Sequence, residues 1–108
     1  MSMTSAWPHR EVKMDLADMQ EQIKVRYGAI DKASGSLFLL SVLLEECCEL
    51  ATVIRRQEAT ATEEVVDVIF CALSIANLLA ADVDHLLQEK YLRKGLDEVT
   101  KTWTDIPK

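Results

Sequence analysis

Two long apolar segments of this chain each carry a short cluster of acidic residues. The first cluster is Glu45, Glu46 and Glu49, and the second is Glu64 and Asp67. Carboxylates are costly to bury unless a positive charge meets them. A fold that packs these segments together must therefore supply a counter-charge, and a bound cation is the first candidate.

Apolar periodicity predicts an all-α fold of four helices. In the first helix apolar residues recur at spacings of three and four, and Gly28 is the predicted stop. Small and polar residues at 29–36 predict a loop. The predicted helices are residues 11–27, residues 37 to about 57, a third helix that ends near residue 81, and residues 82 to about 94.

Capping signals mark the expected starts of three helices. Ser36 is the predicted N-cap of the second helix. Thr60 and Glu63 have the capping-box spacing, which predicts the start of the third helix. Asp82 or Asp84 is expected to cap the fourth helix, where a negative charge also suits the helix dipole.

Length and charge predict one acidic domain. The chain has 108 residues, enough for a single domain over 1–108, with 1–10 and 104–108 expected to be loose tails. A formal net charge of −6 argues against nucleic-acid binding, which needs a basic face. No uncharged run reaches the ~20 residues of a membrane span, and no signal-peptide pattern is present.

The three cysteines favour a reducing compartment. Cys47, Cys48 and Cys71 have neither zinc-site nor disulfide-framework spacing. They are expected to be reduced thiols that pack as small hydrophobic residues, and the protein is expected to be cytoplasmic.

Helical projection predicts that the acids share faces with apolar residues. Glu45, Glu46 and Glu49 fall within an arc of about 100° on a helix that is apolar on both sides. Glu64 and Asp67 lie one turn apart on a helix that is otherwise apolar nearly all round. A solvated acidic patch or helix-dipole complementation would explain either cluster alone. The two together favour a cation site.

The candidate ligands are all hard oxygens, which favours Mg²⁺ or Mn²⁺ over Zn²⁺. A di-iron carboxylate bundle would need Glu-x-x-His motifs, and neither His9 nor His85 has that spacing. Mg²⁺ held by several carboxylates commonly serves to bind phosphates, so basic groups are expected nearby. Arg56 follows on the carboxylate arc, and Lys90, Arg93 and Lys94 form a second basic cluster, which could also be a solvated helix end.

The motif Glu45-Glu46-Cys47-Cys48-Glu49, followed by Glu64-Val65-Val66-Asp67, resembles the EExxE…ExxD signature of MazG-like nucleoside triphosphate pyrophosphohydrolases. The flanking residues agree with this resemblance, which covers roughly Leu16 to Trp103. The paired motif is fairly specific, whereas each half alone is weak.

The resemblance implies an all-α, four-helix bundle completed by oligomerisation, in which pairs of chains build the active sites of a homodimer or homotetramer. It also implies Mg²⁺-dependent hydrolysis of a (deoxy)nucleoside triphosphate to the monophosphate and pyrophosphate. By position, the implied metal ligands are Glu46, Glu49, Glu64 and Asp67. Glu45 would bind a further metal or orient the attacking water, so the catalytic set is Glu45, Glu46 and Glu49. The implied phosphate contacts are Lys90 and Arg93, and Arg56 is a further candidate.

The chain departs from the family pattern at three positions. Cys48 stands where Gly is common, Cys71 stands where a Tyr is common, and the usual Asn after the Lys90 position is not evident. Two other interpretations stay open: a non-enzymatic helical module that pairs with another chain, and a catalytically inactive family member that senses nucleotides. Oligomerisation is expected in any case, because two short flanking helices cannot cover two helices that are apolar on nearly every side.

Overall fold

The computed structural model describes residues 13–103, and this range is helical without a strand. The predicted all-α class is confirmed. The predicted loose tails and residues 11 and 12 of the first predicted helix lie outside this range. The helices are α1 (Leu16–Ser34), α2 (Ser36–Arg55), α3 (Ala61–Leu78), α4 (Val83–Leu87) and α5 (Leu96–Thr100), with a π-helical segment (Gln88–Leu92) that continues α4.

The first helix starts later and runs further than the sequence pattern indicated. Asp15 caps it, because its side chain accepts a hydrogen bond from the Asp18 backbone N–H at 2.8 Å. The helix passes through Gly28 and ends at Ser34, so the predicted stop at Gly28 and the loop over 29–36 are wrong. The alanines and lysine after Gly28 are good helix formers, and they outweigh one helical glycine.

The true break between α1 and α2 is Gly35. Its φ of 89° and ψ of 153° lie in a region that only glycine adopts readily. Its backbone N–H donates to the Asp31 carbonyl at 2.9 Å, and its own carbonyl accepts from the Leu39 N–H at 3.1 Å. Ser36 is the first residue of α2 and makes no side-chain cap, which corrects the prediction that Ser36 is the N-cap.

The predicted capping box before α3 does not form. Thr60 has helical dihedral angles and its side chain makes no cap hydrogen bond. Its backbone carbonyl instead accepts from the N–H groups of Glu63 and Glu64, at 3.0 and 3.1 Å. The hydroxyl is therefore not needed at the N–H of Glu63. The α3 helix ends at Leu78 rather than near residue 81.

Side chains at the joint between α3 and α4 tie it to α1. Gln20 Nε2 donates to the Ala81 carbonyl at 2.7 Å, and Asn77 Nδ2 donates to the Gln20 carbonyl at 3.1 Å. Further along α1, the rings of Tyr27 and Phe70 meet edge to face with centroids 5.0 Å apart. The contact later in α1, at Tyr27, is with an earlier residue of α3 than the contact at Gln20. These two helices therefore run antiparallel.

Of the two predicted caps of α4, Asp82 and Asp84, the structure uses Asp82, whose carboxylate accepts from the His85 N–H at 3.1 Å. The helix continues as the π-helical segment and stops at Leu92, slightly before the predicted end near Lys94. Single π-helical turns within α-helices are frequent at functional sites.

Few apolar side chains are covered in the described part of the chain. Leu73 is the one fully buried hydrophobic residue there, whereas large apolar residues of α2 and α3 are exposed. These exposed residues include Leu40, Leu44, Val65, Val66 and Ile69. Within residues 13–103 no single helix has the length and apolar character of a membrane span; only α3 taken together with α4 and its continuation would, and that pair is bent by 111°.

Candidate metal centre

The α2 and α3 helices bring the two acidic clusters together. A short turn at residues 56–60 reverses the chain, and among the helices of residues 13–103 these two pack against each other most extensively. Carboxylate oxygens of Glu46 and Glu49 on α2 and of Glu64 on α3 all lie within 4.8 Å of one another. Three of the four predicted metal ligands therefore converge on one point.

Glu64 is the member of this set whose charge is least satisfied. Its Oε2 atom is inaccessible to solvent and has no hydrogen-bond partner. Burial of the carboxyl group raises the pKa of Glu64 from 4.5 to about 7, with further contributions from contact with the Glu46 carboxyl group and from the negative charges of Glu49 and Asp67. The site therefore disfavours a fully ionised set of acids unless a positive charge joins them.

The residues fit a hard divalent cation. The three convergent donors are carboxylate oxygens, which Mg²⁺ and Mn²⁺ prefer. Ligands on opposite sides of Mg²⁺ are about 4 Å apart, which is close to the upper limit of 4.8 Å between the oxygens here. Glu64 Oε2 supplies a buried acceptor without a donor, and a cation would satisfy it.

Asp67 and Glu45 stand at the margin of this set. Asp67 lies one turn after Glu64 and is exposed, and it is not among the three acids whose oxygens converge. Its charge nevertheless contributes to the raised pKa of Glu64, so it is close to the centre. Glu45 is exposed and lines a groove of about 480 Å³ together with Glu46 and Glu49.

A second groove continues from the acids along α2. It has a volume of about 300 Å³, and its lining includes Glu49, Arg56 and Glu58. Arg56 Nη1 lies 3.9 Å from Glu58 Oε2. This second groove leads from the carboxylate of Glu49 to the side chain of Arg56. The helical projection had predicted that Arg56 follows the acids on the same side of α2.

Lys90 and Arg93 are not brought to the acids within this chain. Both follow the C-terminal end of α3, whereas Glu64 and Asp67 occupy its first two turns. Lys90 Nζ lies 5.7 Å from the centroid of the Tyr91 ring, and Arg93 pairs with Glu89. In the described range neither forms an ion pair with the acidic cluster, so their predicted role as phosphate contacts stays a prediction.

The cysteines are free thiols in the structure, and two of the three are exposed rather than packed as small hydrophobic residues. Cys71 is partly buried beside the acids. Burial raises the pKa of the Cys71 thiol, and the negative charges of Glu46, Asp67 and Asp31 raise it further. Asp31 was not singled out from the sequence, because it fell in the predicted loop. If α1 had been predicted to continue through Gly28, Asp31 would have been placed one turn after Tyr27 on the same helix face.

Comparison with known proteins agrees with this geometry. The family model described as the MazG nucleotide pyrophosphohydrolase domain matches residues 35–94, a range that contains both acidic clusters, Lys90 and Arg93. Among curated proteins and among solved structures, none matches the chain significantly. The match spans more than half of the chain and includes every residue of the convergent carboxylate set, and the chain therefore belongs to the MazG nucleotide pyrophosphohydrolase domain family.

Proposed function

We propose that this protein is a Mg²⁺-dependent nucleoside triphosphate pyrophosphohydrolase. It would convert a (deoxy)nucleoside triphosphate and water to the monophosphate and pyrophosphate, with non-canonical or surplus nucleotides as the substrate class. The observation that carries the proposal is the convergence of carboxylate oxygens of Glu46, Glu49 and Glu64 in a chain of this family. Glu64 also has a buried oxygen without a hydrogen-bond partner.

Each acid has a role in this proposal. Glu46, Glu49, Glu64 and Asp67 would hold the cation, and Glu45, which lines the groove, would orient the attacking water. Bound Mg²⁺ would neutralise the phosphates and the charge that develops on the leaving pyrophosphate. Arg56, which lines the second groove, would donate charge-assisted hydrogen bonds to phosphate oxygens. Lys90 and Arg93 would do the same.

A pyrophosphate-release assay tests the proposal. A panel of canonical and modified nucleoside triphosphates is incubated with the protein and Mg²⁺. We expect Glu49→Gln to lower turnover of the best substrate by at least the roughly 10- to 100-fold that loss of outer-shell metal partners costs. Glu63→Gln is the matched control, because Glu63 is an exposed acid next to Glu64 that lies outside the convergent set. Full pyrophosphate release by Glu49→Gln would refute the assignment.

We also propose that two or more copies of the chain complete the helical bundle. The exposed apolar residues of α2 and α3 support this, because a monomer rarely leaves such a surface in water. Size-exclusion chromatography with light scattering should give the mass of a dimer or tetramer. A monomer at micromolar concentration would exclude both assemblies.

The alternative functions give different results in the same experiments. A non-catalytic helical module would show no change in Tm on addition of Mg²⁺, whereas a cation site stabilises the folded state. A nucleotide-sensing member would bind Mg²⁺ and nucleotide and release no pyrophosphate from any member of the panel.

A further inference from the structure

Asp31 on α1 is a buried acid that the proposed chemistry does not use. It is 7% exposed and the one acidic residue that is fully buried among residues 13–103. Its Oδ2 atom has no hydrogen-bond partner. Lys24 and Lys32 line a groove beside it, yet neither forms an ion pair with it. A buried polar group without a partner costs stability, so the position calls for a ligand.

The helix contacts put Asp31 level with the acidic cluster. Tyr27 meets Phe70 where α1 crosses α3. Asp31 lies one turn, about 6 Å, further along the same face of α1. Because α1 and α3 are antiparallel, the facing turn of α3 is the one that contains Asp67.

Cys71 links Asp31 to this part of α3. Burial raises the pKa of the Cys71 thiol, and the negative charges of Glu46, Asp67 and Asp31, which lie on three helices, raise it further. The next buried residue of that α3 face, Ser74, is 2% exposed and its Oγ atom also lacks a partner. Unsatisfied polar atoms of α1 and α3 therefore occur on the faces with which these two helices are buried.

Asp31 belongs outside the ligand set itself. Its oxygens are not among the convergent atoms of Glu46, Glu49 and Glu64. Mg²⁺ usually keeps several waters, and carboxylates behind the ligands commonly accept hydrogen bonds from that shell.

We propose that Asp31 is a positioning residue that accepts hydrogen bonds from the water shell of the bound cation, so that α1 contributes to a site otherwise built by α2 and α3. This inference rests on the proposed cation site. It concerns a residue that lies outside the range 35–94 matched by the family.

The test measures cation binding and stability in the full-length protein. The variants are Asp31→Asn, which keeps the shape of the side chain, and Asp31→Ala, with Asp97→Asn as a charge-matched control on the exposed face of α5. We expect Asp31→Asn to weaken the Kd for Mn²⁺ by about 10-fold. In the presence of chelator its Tm should rise by a few degrees, because an unpartnered buried carboxylate is removed. Asp31→Ala gives the Kd if the asparagine variant does not fold.

The outcomes separate this inference from the proposed function. If the unmodified protein binds no Mn²⁺, the cation site and the role of Asp31 both fail. If it binds Mn²⁺ and the Kd of Asp31→Asn equals that of Asp97→Asn, only the role of Asp31 fails. A lower Tm of Asp31→Asn in chelator would identify a structural aspartate and would also overturn the inference.

Discussion

Among the convergent acids, Glu64 is the residue whose burial costs the folded protein most stability. Its carboxyl group lies close to those of Glu46 and Glu49 on α2, and one of its oxygens is inaccessible to solvent and accepts no hydrogen bond. Apolar neighbours alone would favour a neutral side chain at this position. A carboxyl group at this position costs stability, and acids with a strongly raised pKa are typical of functional sites.

The raised pKa of Glu64 predicts the pH dependence of stability in chelator. Between pH 4.5 and about 7 the folded protein holds a proton that the unfolded chain has released. Raising the pH through this window therefore removes stability. The Glu64→Gln variant lacks this titrating group. We therefore expect its Tm to rise relative to that of the unmodified protein as the pH is raised from 4.5 to 7.

Glu63→Gln is the control for this measurement, because Glu63 is next to Glu64 in the chain but has an exposed carboxylate. Its Tm should follow that of the unmodified protein across the same pH range. A constant Tm difference for Glu64→Gln from pH 4.5 to pH 7 would contradict the raised pKa.

At the scale of the helices, two glycines have opposite roles. Gly28 lies inside α1, where an added Cβ atom would meet only Lys24 Cγ at an ordinary 3.7 Å. Gly35 has an open environment, but its φ of 89° is strained for any side chain. The same substitution should therefore have opposite signs at these two positions.

We expect Gly28→Ala to stabilise the protein by about 0.5–1 kcal/mol, because alanine loses less backbone entropy in a helix. Gly35→Ala should destabilise it by about 1–3 kcal/mol through backbone strain at the α1–α2 joint. Urea denaturation of both variants measures the two changes. If both variants changed the free energy of unfolding in the same direction, the assigned roles of Gly28 and Gly35 would be wrong.

The sequence predicted the helices that carry the acids better than their boundaries. The apolar pattern identified α2 and α3, because helical periodicity constrains them, and it predicted that the two acidic clusters form one cation site. The choice of Glu46, Glu49 and Glu64 as metal ligands came from the resemblance to the MazG family. Gly28 was overweighted as a stop, since composition does not reveal which of two glycines adopts a positive φ. That error placed Asp31 in a loop and concealed that it is a buried residue of α1. The Thr60 cap failed because a backbone carbonyl took the place of the hydroxyl.

At the scale of the whole molecule, the acids and the basic residues of one chain lie toward opposite ends of α3. Glu64 and Asp67 occupy the start of this helix, whereas Lys90 and Arg93 follow its end. The proposed assembly resolves this separation if the basic residues of one copy meet the acids of another.

Mixing two inactive variants tests this arrangement. Glu49→Gln damages the acidic half of a site and Lys90→Ala damages the basic half. Random reassembly of the two as a symmetric dimer should restore roughly a quarter of the intact sites, because half of the dimers are mixed and each of those has one good site. Co-expression followed by a pyrophosphate assay measures the recovery.

A mixture of Glu49→Gln and Glu64→Gln is the control, since both changes damage the same half and no intact site can form. Recovery in that control, or none with Lys90→Ala, would contradict a site shared between chains.

The length of α3 then has a consequence for how output depends on protein abundance. If the acids of one copy work only beside the basic residues of another, the output of a dilute solution rises with the square of the chain concentration. Below the dissociation constant of the assembly, halving expression would lower hydrolysis about fourfold. Hydrolysis would then depend steeply on expression below this dissociation constant and only in proportion to expression above it.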